Sequence, residues 1–281
     1  MSRTGRWLVL VSALGLVATI SPLRAGQDGQ PVATTPAAAL SRAGMEQFLL
    51  KARIVKARGA AKGITGTTRA TLSDGTLTHD ASVQTLDETV REFQTPGGVE
   101  FNVRDCWRYN VAAYRLDALL DIGMIPATVQ RDYRGKDASF TWWVDDVIMD
   151  EEERFKSKRE PPDKKDWNEQ MWVIRVFDQL IYNLDRNLGN LLITRDWQIW
   201  MIDHGRAFHP HKGLLNEANI PRGERRLLQR LQALDRATLE RALGEYVGRQ
   251  EIEGLLARRD LIVQHFEKLG EPALYESKRL R

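Results

Sequence analysis

Residues 183–208, NLDRNLGNLLITRDWQIWMIDHGRAF, constrain the chain more than any other stretch. Two strand-like runs, LLIT (191–194) and QIWMI (198–202), flank the turn RDW (195–197), the pattern of a β-hairpin. A hairpin needs only a turn, yet this one carries Asp185, Asn187 and Asn190 before it and Asp203 after it. Its pairing brings the two ends together, so Asp185, Asn190 and Asp203 are expected to converge. Asn and Asp oxygens suit a hard cation such as Mg²⁺, and a second Asp can orient or deprotonate a hydroxyl. That combination is a phosphoryl-transfer layout.

The rest of the chain limits what can surround such a site. With 281 residues, 42% hydrophobic and 28% charged, it has the composition of a globular protein with a sizeable core. The net charge of +3 comes from Arg3, Arg6 and Arg24, because the first 25 residues hold no acid. Beyond them the charges balance, so the basic pI is no argument for a nucleic-acid partner. Arg3 and Arg6, the apolar run WLVLVSALGLVATI (7–20), Pro22 and Ala25 read as a signal peptide at 1–25. The expected fate is export, to a periplasm, the cell exterior or a secretory lumen, with no stable membrane span after cleavage. The alternative is anchoring by an uncleaved N-terminal segment, although the apolar run is short for a span. Residues 26–44 are rich in Gly, Pro, Thr and Ala and read as a flexible linker. The single cysteine, Cys106, excludes an internal disulfide and is expected to be packed.

Two regimes follow. From 45 to 145 short β-like runs dominate: 48–57, 67–72, 81–86, 126–133 and 139–144, with one helix at 104–123 that stops at Gly123. From 146 to 281 helices dominate, with a broad apolar stripe over 166–184 and two helices over 237–270 joined near Gly248. The charged run 150–166 reads as a helix end and solvated loop, and HGRAFHPH (204–211) as a solvated loop. The fold class expected is α+β, a β-rich N-terminal lobe with one helix and a helical C-terminal lobe, with a cleft between them.

The sequence DRNLGNLLI…WMIDHGRAF resembles the catalytic and metal-binding loops of the atypical kinase superfamily, which includes phosphatidylinositol 3- and 4-kinases, HipA-type kinases and secretory-pathway kinases of exported proteins. Those families carry an Asp-Arg-His-x-x-Asn loop followed by Ile-Asp-x-Gly. Residues 110–129 look like their N-lobe helix and following strand, and FTWWVDDV (140–147) like their interlobe hinge. The resemblance implies a two-lobed protein-kinase-like fold, ATP or another nucleotide with Mg²⁺ or Mn²⁺, Asp185 as the catalytic aspartate, and Asn190 and Asp203 as metal ligands. Asn187 stands where the family has histidine, and is still able to hydrogen-bond near the phosphate. KGITGTTR (62–69) is similar to a phosphate-covering loop, with Lys62, Gly63, Gly66 and Thr67 toward the nucleotide, and Val144 falls on the adenine side. The implied acceptor is a protein or glycan hydroxyl in preference to a lipid headgroup.

The sequence departs from the pattern at the nucleotide-binding ion pair. The strand that usually ends in Val-Phe-Lys aligns with ASVQTLDE (81–88), which places Gln84 at the lysine. Asn110 stands at the partner glutamate, unless Asp105 or Glu100 reaches in. An amide cannot supply the lysine's charge. Two outcomes follow: another cation, Lys62, Arg69 or Arg206, takes its place, or the chain is a pseudokinase acting as a binding or regulatory module.

Overall fold

The computed structural model describes residues 40–59, 67–95 and 98–280. The expected signal peptide, the linker up to residue 39, and Lys62, Gly63 and Gly66 lie outside the described residues. A helix, α1 (Arg42–Lys51), opens the described chain. Ser41 caps it by accepting from the Gly44 amide at 3.2 Å. Residues 48–51, expected as strand, are therefore helical, and the last three residues of the expected linker belong to α1. Arg131 secures the far end by donating to the carbonyls of Leu49 (2.9 Å) and Ala52 (2.7 Å), which no helical amide can reach.

An antiparallel five-stranded sheet follows in the order β1-β2-β3-β7-β6, formed by β1 (Arg53–Gly59), β2 (Thr68–Ser73), β3 (Thr78–Gln84), β6 (Thr128–Tyr133) and β7 (Lys136–Trp142). Alternate residues Ala70, Leu72, Ala81, Val83, Ala138 and Phe140 are buried, as the two-residue period of a strand requires. Helix α2 (Trp107–Leu119) packs on this sheet, and Gly123 after it takes φ 78°. The helix expected from residue 104 starts at 107. Residues 104–106 instead end a hairpin between β3 and α2, made of β4 (Asp87–Thr95) and β5 (Gly98–Cys106), which the sequence reading missed. Asn102 sits at φ 56°, and the inward residues switch there from Val103 and Asp105 on one side to Glu100 on the other.

The remainder is helical around a three-stranded sheet, β10-β9-β8. Strands β8 (Val147–Asp150), β9 (Leu191–Thr194) and β10 (Ile199–Met201) pair antiparallel. Helix α3 (Glu151–Ser157) lies in the run expected as helix end and loop, capped by Asp150. Helix α4 (Lys164–Ile181) starts at its cap Asp163 and buries Val173, Ile174, Val176, Phe177, Leu180 and Ile181. After α5 (Arg225–Ala233), the two helices expected near Gly248 are α6 (Arg236–Leu243) and α7 (Arg249–Leu269), with Gly248 capping the second. Two-residue strands β11 (Gly223–Glu224) and β12 (Leu274–Tyr275) pair in parallel. Helix α7 lies against α4, so α4 is enclosed between it and the sheet side of the core.

Candidate active site

The site is assembled where α4 ends. Tyr182 turns the chain with φ 51°, and Asn183 then donates to the Asp178 carboxylate (3.0 Å) and accepts from the Asp185 amide (3.1 Å). Arg186 holds Asp178 through Nε and Nη2 at about 3.0 Å. Its Nη1 donates to the carbonyls of Ile202 (3.0 Å) and Asn190 (3.3 Å), and Nη2 also lies 2.9 Å from His204 Nε2. A guanidinium only donates, so His204 Nε2 accepts and the ring is neutral. Burial, then the Arg186 charge, lowers its pKa well below the usual range. Arg186 thus fastens α4, the loop after it and residues 202–204 into one unit. The Asp-Arg-His-x-x-Asn pattern contains Arg186 but gave it no role, and nothing in the sequence flagged Asp178 as its partner.

The hairpin brings its ends together. Leu191, Leu192 and Ile193 face Met201, Trp200 and Ile199, and the Ile202 amide continues the ladder to the Asn190 carbonyl at 3.1 Å. Asn190 therefore sits across from the residue before Asp203, while its side-chain amide donates to the Asp185 carbonyl at 3.4 Å. Asp203 adopts φ 56°, a left-handed conformation that turns the chain sharply after β10. Asn187 opens a single 3-10 turn (Leu188–Asn190) and is exposed. Thr67 stands half-buried just before β2, and Val144 half-buried in the link from β7 to β8. No hydrogen bond ties Thr67 or Val144 to the acids.

A third carboxylate joins Asp185 and Asp203. Asp105, at the end of β5, faces Gly205: a side-chain carbon at that glycine would meet Asp105 Oδ1 at 2.5 Å and Asp203 Oδ1 at 3.7 Å. The Cys106 amide donates to the Gly205 carbonyl at 2.8 Å, fixing the approach. Cys106 itself is buried, and burial pushes its thiol up to about 11. Arg206 bridges the acids, with Nη1 2.7 Å from Asp185 Oδ2 and Nε 2.8 Å from Asp105 Oδ2, and its guanidinium lies over the Phe93 ring at 4.8 Å. HGRAF is thus largely inside the protein, with His204, Gly205, Ala207 and Phe208 buried, which corrects the expectation of a solvated loop. The expectation rested on polarity, whereas Arg186 and Asn110 supply His204 with partners that make its burial tolerable.

Burial raises the Asp203 acid above the usual carboxylate range, and the charges of Asp105 and Asp185 raise it further. Burial raises Asp105 too, against the opposing effect of Arg206. A carboxyl raised in the folded state binds its proton more tightly there than when unfolded. Its contribution to stability is therefore full below the unfolded value and is lost as the pH climbs through the raised one. In metal-free buffer, Asp203→Asn is expected to melt higher than the wild type at pH 7–8, by about 1 kcal/mol or ~2–4 °C, with the gap closing near pH 4. Melting curves in EDTA across that range check it, and a gap independent of pH contradicts it.

Gln84, the last residue of β3, and Asn110 on α2 meet directly. Asn110 Nδ2 donates to Gln84 Oε1, and Asn110 Oδ1 accepts from the His204 amide at 2.7 Å. Both are buried. Strand, helix and the segment after Asp203 are therefore joined by neutral amides, at the two positions that the sequence resemblance aligns with a lysine–glutamate pair. Among the described residues no three His, Cys, Asp or Glu side chains are grouped so as to hold a metal by themselves. Mg²⁺ bound through one or two protein oxygens plus nucleotide phosphates needs no such cage, and Asn190 with Asp203 fits that mode. A surface cleft of about 370 Å³ against Trp167, Trp197 and Arg279 is not lined by any of these residues.

The architecture is α+β, a two-lobed, protein-kinase-like fold. Among solved structures the chain is similar to hydra Fam20 determined with sugar (TM-score 0.62, 14% identity, covering 84% of this chain and 92% of that one). It is similar also to the Golgi casein kinase with Mn/ADP bound (TM-score 0.55, 12% identity, covering 82% and 76%). No family model and no curated protein sequence matches the chain.

Proposed function

We propose that the protein is a phosphotransferase that moves a phosphoryl group from a metal-bound nucleotide, ATP or another, to a hydroxyl of a protein or a small molecule. The observation that supports this reading is that the β9–β10 ladder sets Asn190 opposite Ile202, the residue before Asp203, while the Asn190 side chain bonds the Asp185 carbonyl and Arg186 ties these segments together. Asp185 accepts the proton of the attacking hydroxyl, and Asn190 and Asp203 offer oxygens to Mg²⁺ or Mn²⁺. The metal, when bound, offsets the charge on the transferring phosphate. The Golgi casein kinase, of the same fold, was solved with Mn/ADP, which supports a nucleotide and a divalent ion as cofactors here.

Residues 1–25 and the likeness to Fam20 and a Golgi kinase support an exported protein, and no described helix is long and apolar enough to cross a membrane. A second reading, a pseudokinase acting as a binding module, is favoured by one feature, the Gln84–Asn110 amide pair in place of a charged one. Thermal melting of residues 26–281 with ATP and Mg²⁺ or Mn²⁺ separates the two. The phosphotransferase reading expects a metal-dependent rise that disappears in Asp203→Ala. No rise with any metal, in a protein that melts cooperatively, favours the binding module.

A further inference from the structure

One acid that the proposed reaction uses, Asp185, is already engaged by a cation belonging to the chain. Arg206 is three residues beyond Asp203, yet its side chain does not pair with it. Instead it forks between Asp185, from the loop after α4, and Asp105, from β5. The Asp105 side chain is only 4% exposed, and without Arg206 its charge would be stranded. Phe93 on β4 lies beneath the guanidinium, so the β4–β5 hairpin supplies both a carboxylate and a flat apolar rest for the same arginine. Asp105 Oδ1 and Asp203 Oδ1 both lie against Gly205, and Arg206 ties Asp105 to Asp185, so a divalent ion at Asp203 and the guanidinium of Arg206 draw on one negative field.

We propose that Arg206 is an internal counter-cation that competes with the divalent ion: it holds Asp105 and Asp185 while the site is empty, and it sets how much metal is needed to open it. The inference rests on the phosphotransferase reading only in placing the ion at Asp203. Guanidinium and divalent ion act on neighbouring carboxylates by the same Coulomb attraction, strong at contact distance near a protein surface, so one weakens the hold of the other. A guanidinium released in this way would be a cation within reach of nucleotide phosphates, where Gln84 brings none.

The test is Mn²⁺ binding to the nucleotide-free protein, read from the electron paramagnetic resonance of free Mn²⁺. Arg206→Gln is expected to bind Mn²⁺ tenfold or more tightly than the wild type. Arg206→Lys, which keeps a charge, should stay near wild type. Asp203→Asn should abolish binding in either background. Melting in EDTA provides the folding control: Arg206→Gln should melt lower than the wild type and recover with Mn²⁺. Equal or weaker Mn²⁺ binding in folded Arg206→Gln, with binding still lost in Asp203→Asn, overturns the role of Arg206 and leaves the phosphotransferase reading intact. Mn²⁺ binding that is indifferent to Asp203, or absent from every variant, overturns both.

Discussion

Asp185→Asn is expected to lower turnover about 10²- to 10⁴-fold, the range that a positioned general base contributes, while nucleotide binding is largely kept. The substitution is nearly isosteric, and the features that place residue 185 do not depend on its charge. Its amide donates to Asn183, and its carbonyl accepts from the amide of Asn187 at 2.9 Å. What changes is the ability to take a proton, together with one of the two carboxylates that Arg206 grips. The measurement is single-turnover release of ADP from ATP with saturating Mn²⁺, using water or a hydroxyl-bearing protein as acceptor, alongside the nucleotide-induced melting shift. A rate within threefold of wild type would remove Asp185 from the base role. A lost melting shift would mean that the residue helps to hold the metal-nucleotide instead.

The loop pair was legible because its information is local. Two apolar runs and a turn set the hairpin, pairing fixes its ends, and the candidate site residues are those at the ends. The alignment of Gln84 with Asn110 was also legible, since each sits at a fixed offset within one element, and the two amides do touch. The β4–β5 hairpin was not. β4 lacks a steady alternation, and although Val99, Phe101 and Val103 alternate along β5, the left-handed Asn102 exchanges the inward face midway, so Val103 is buried while Val99 and Phe101 are exposed. Arg206 shows the same limit from another side: the sequence offers it as a cation near Asp203, but one of its two partners, Asp105, comes from an element the sequence did not reveal.

The amide pair changes how the site is held together. A lysine–glutamate pair couples strand and helix through charge. Gln84 and Asn110 couple them through neutral hydrogen bonds that continue to the His204 backbone, so strand, helix and the Asp203 segment are tied before any ligand arrives. Such a chain of bonds gives position without electrostatic attraction for phosphate. In the phosphotransferase reading the charge comes from elsewhere, and Arg206 is a described cation that already lies against Asp105 and Asp185.

The segment beyond the acids depends on a residue far away in sequence. Arg258 on α7 is fully buried, and burial pushes its guanidinium down to about 9. It donates to the carbonyl of Leu180 at 2.8 Å, at the end of α4, and to those of His209 and His211, past Asp203, with the His209 bond at 3.0 Å. Its guanidinium also lies over the ring of Tyr182. Arg258→Met fills much of the space but leaves those three carbonyls without their donor. Each buried acceptor left unmade costs about 1–3 kcal/mol. The expected loss is on the order of 3 kcal/mol, or ~6–12 °C in Tm for a chain of this size, read by urea unfolding or by circular dichroism on heating. Arg258→Lys should rescue little, since an ammonium cannot fork between acceptors on two segments. Because the arginine joins the end of α4 to residues 209–211, the same variant should expose the 204–211 segment to limited proteolysis before the rest of the chain. A variant that melts within 1 °C of wild type would show that water satisfies those carbonyls and that the segment is held without Arg258, by Arg186, Asn110, the Cys106 amide and the Arg206 fork.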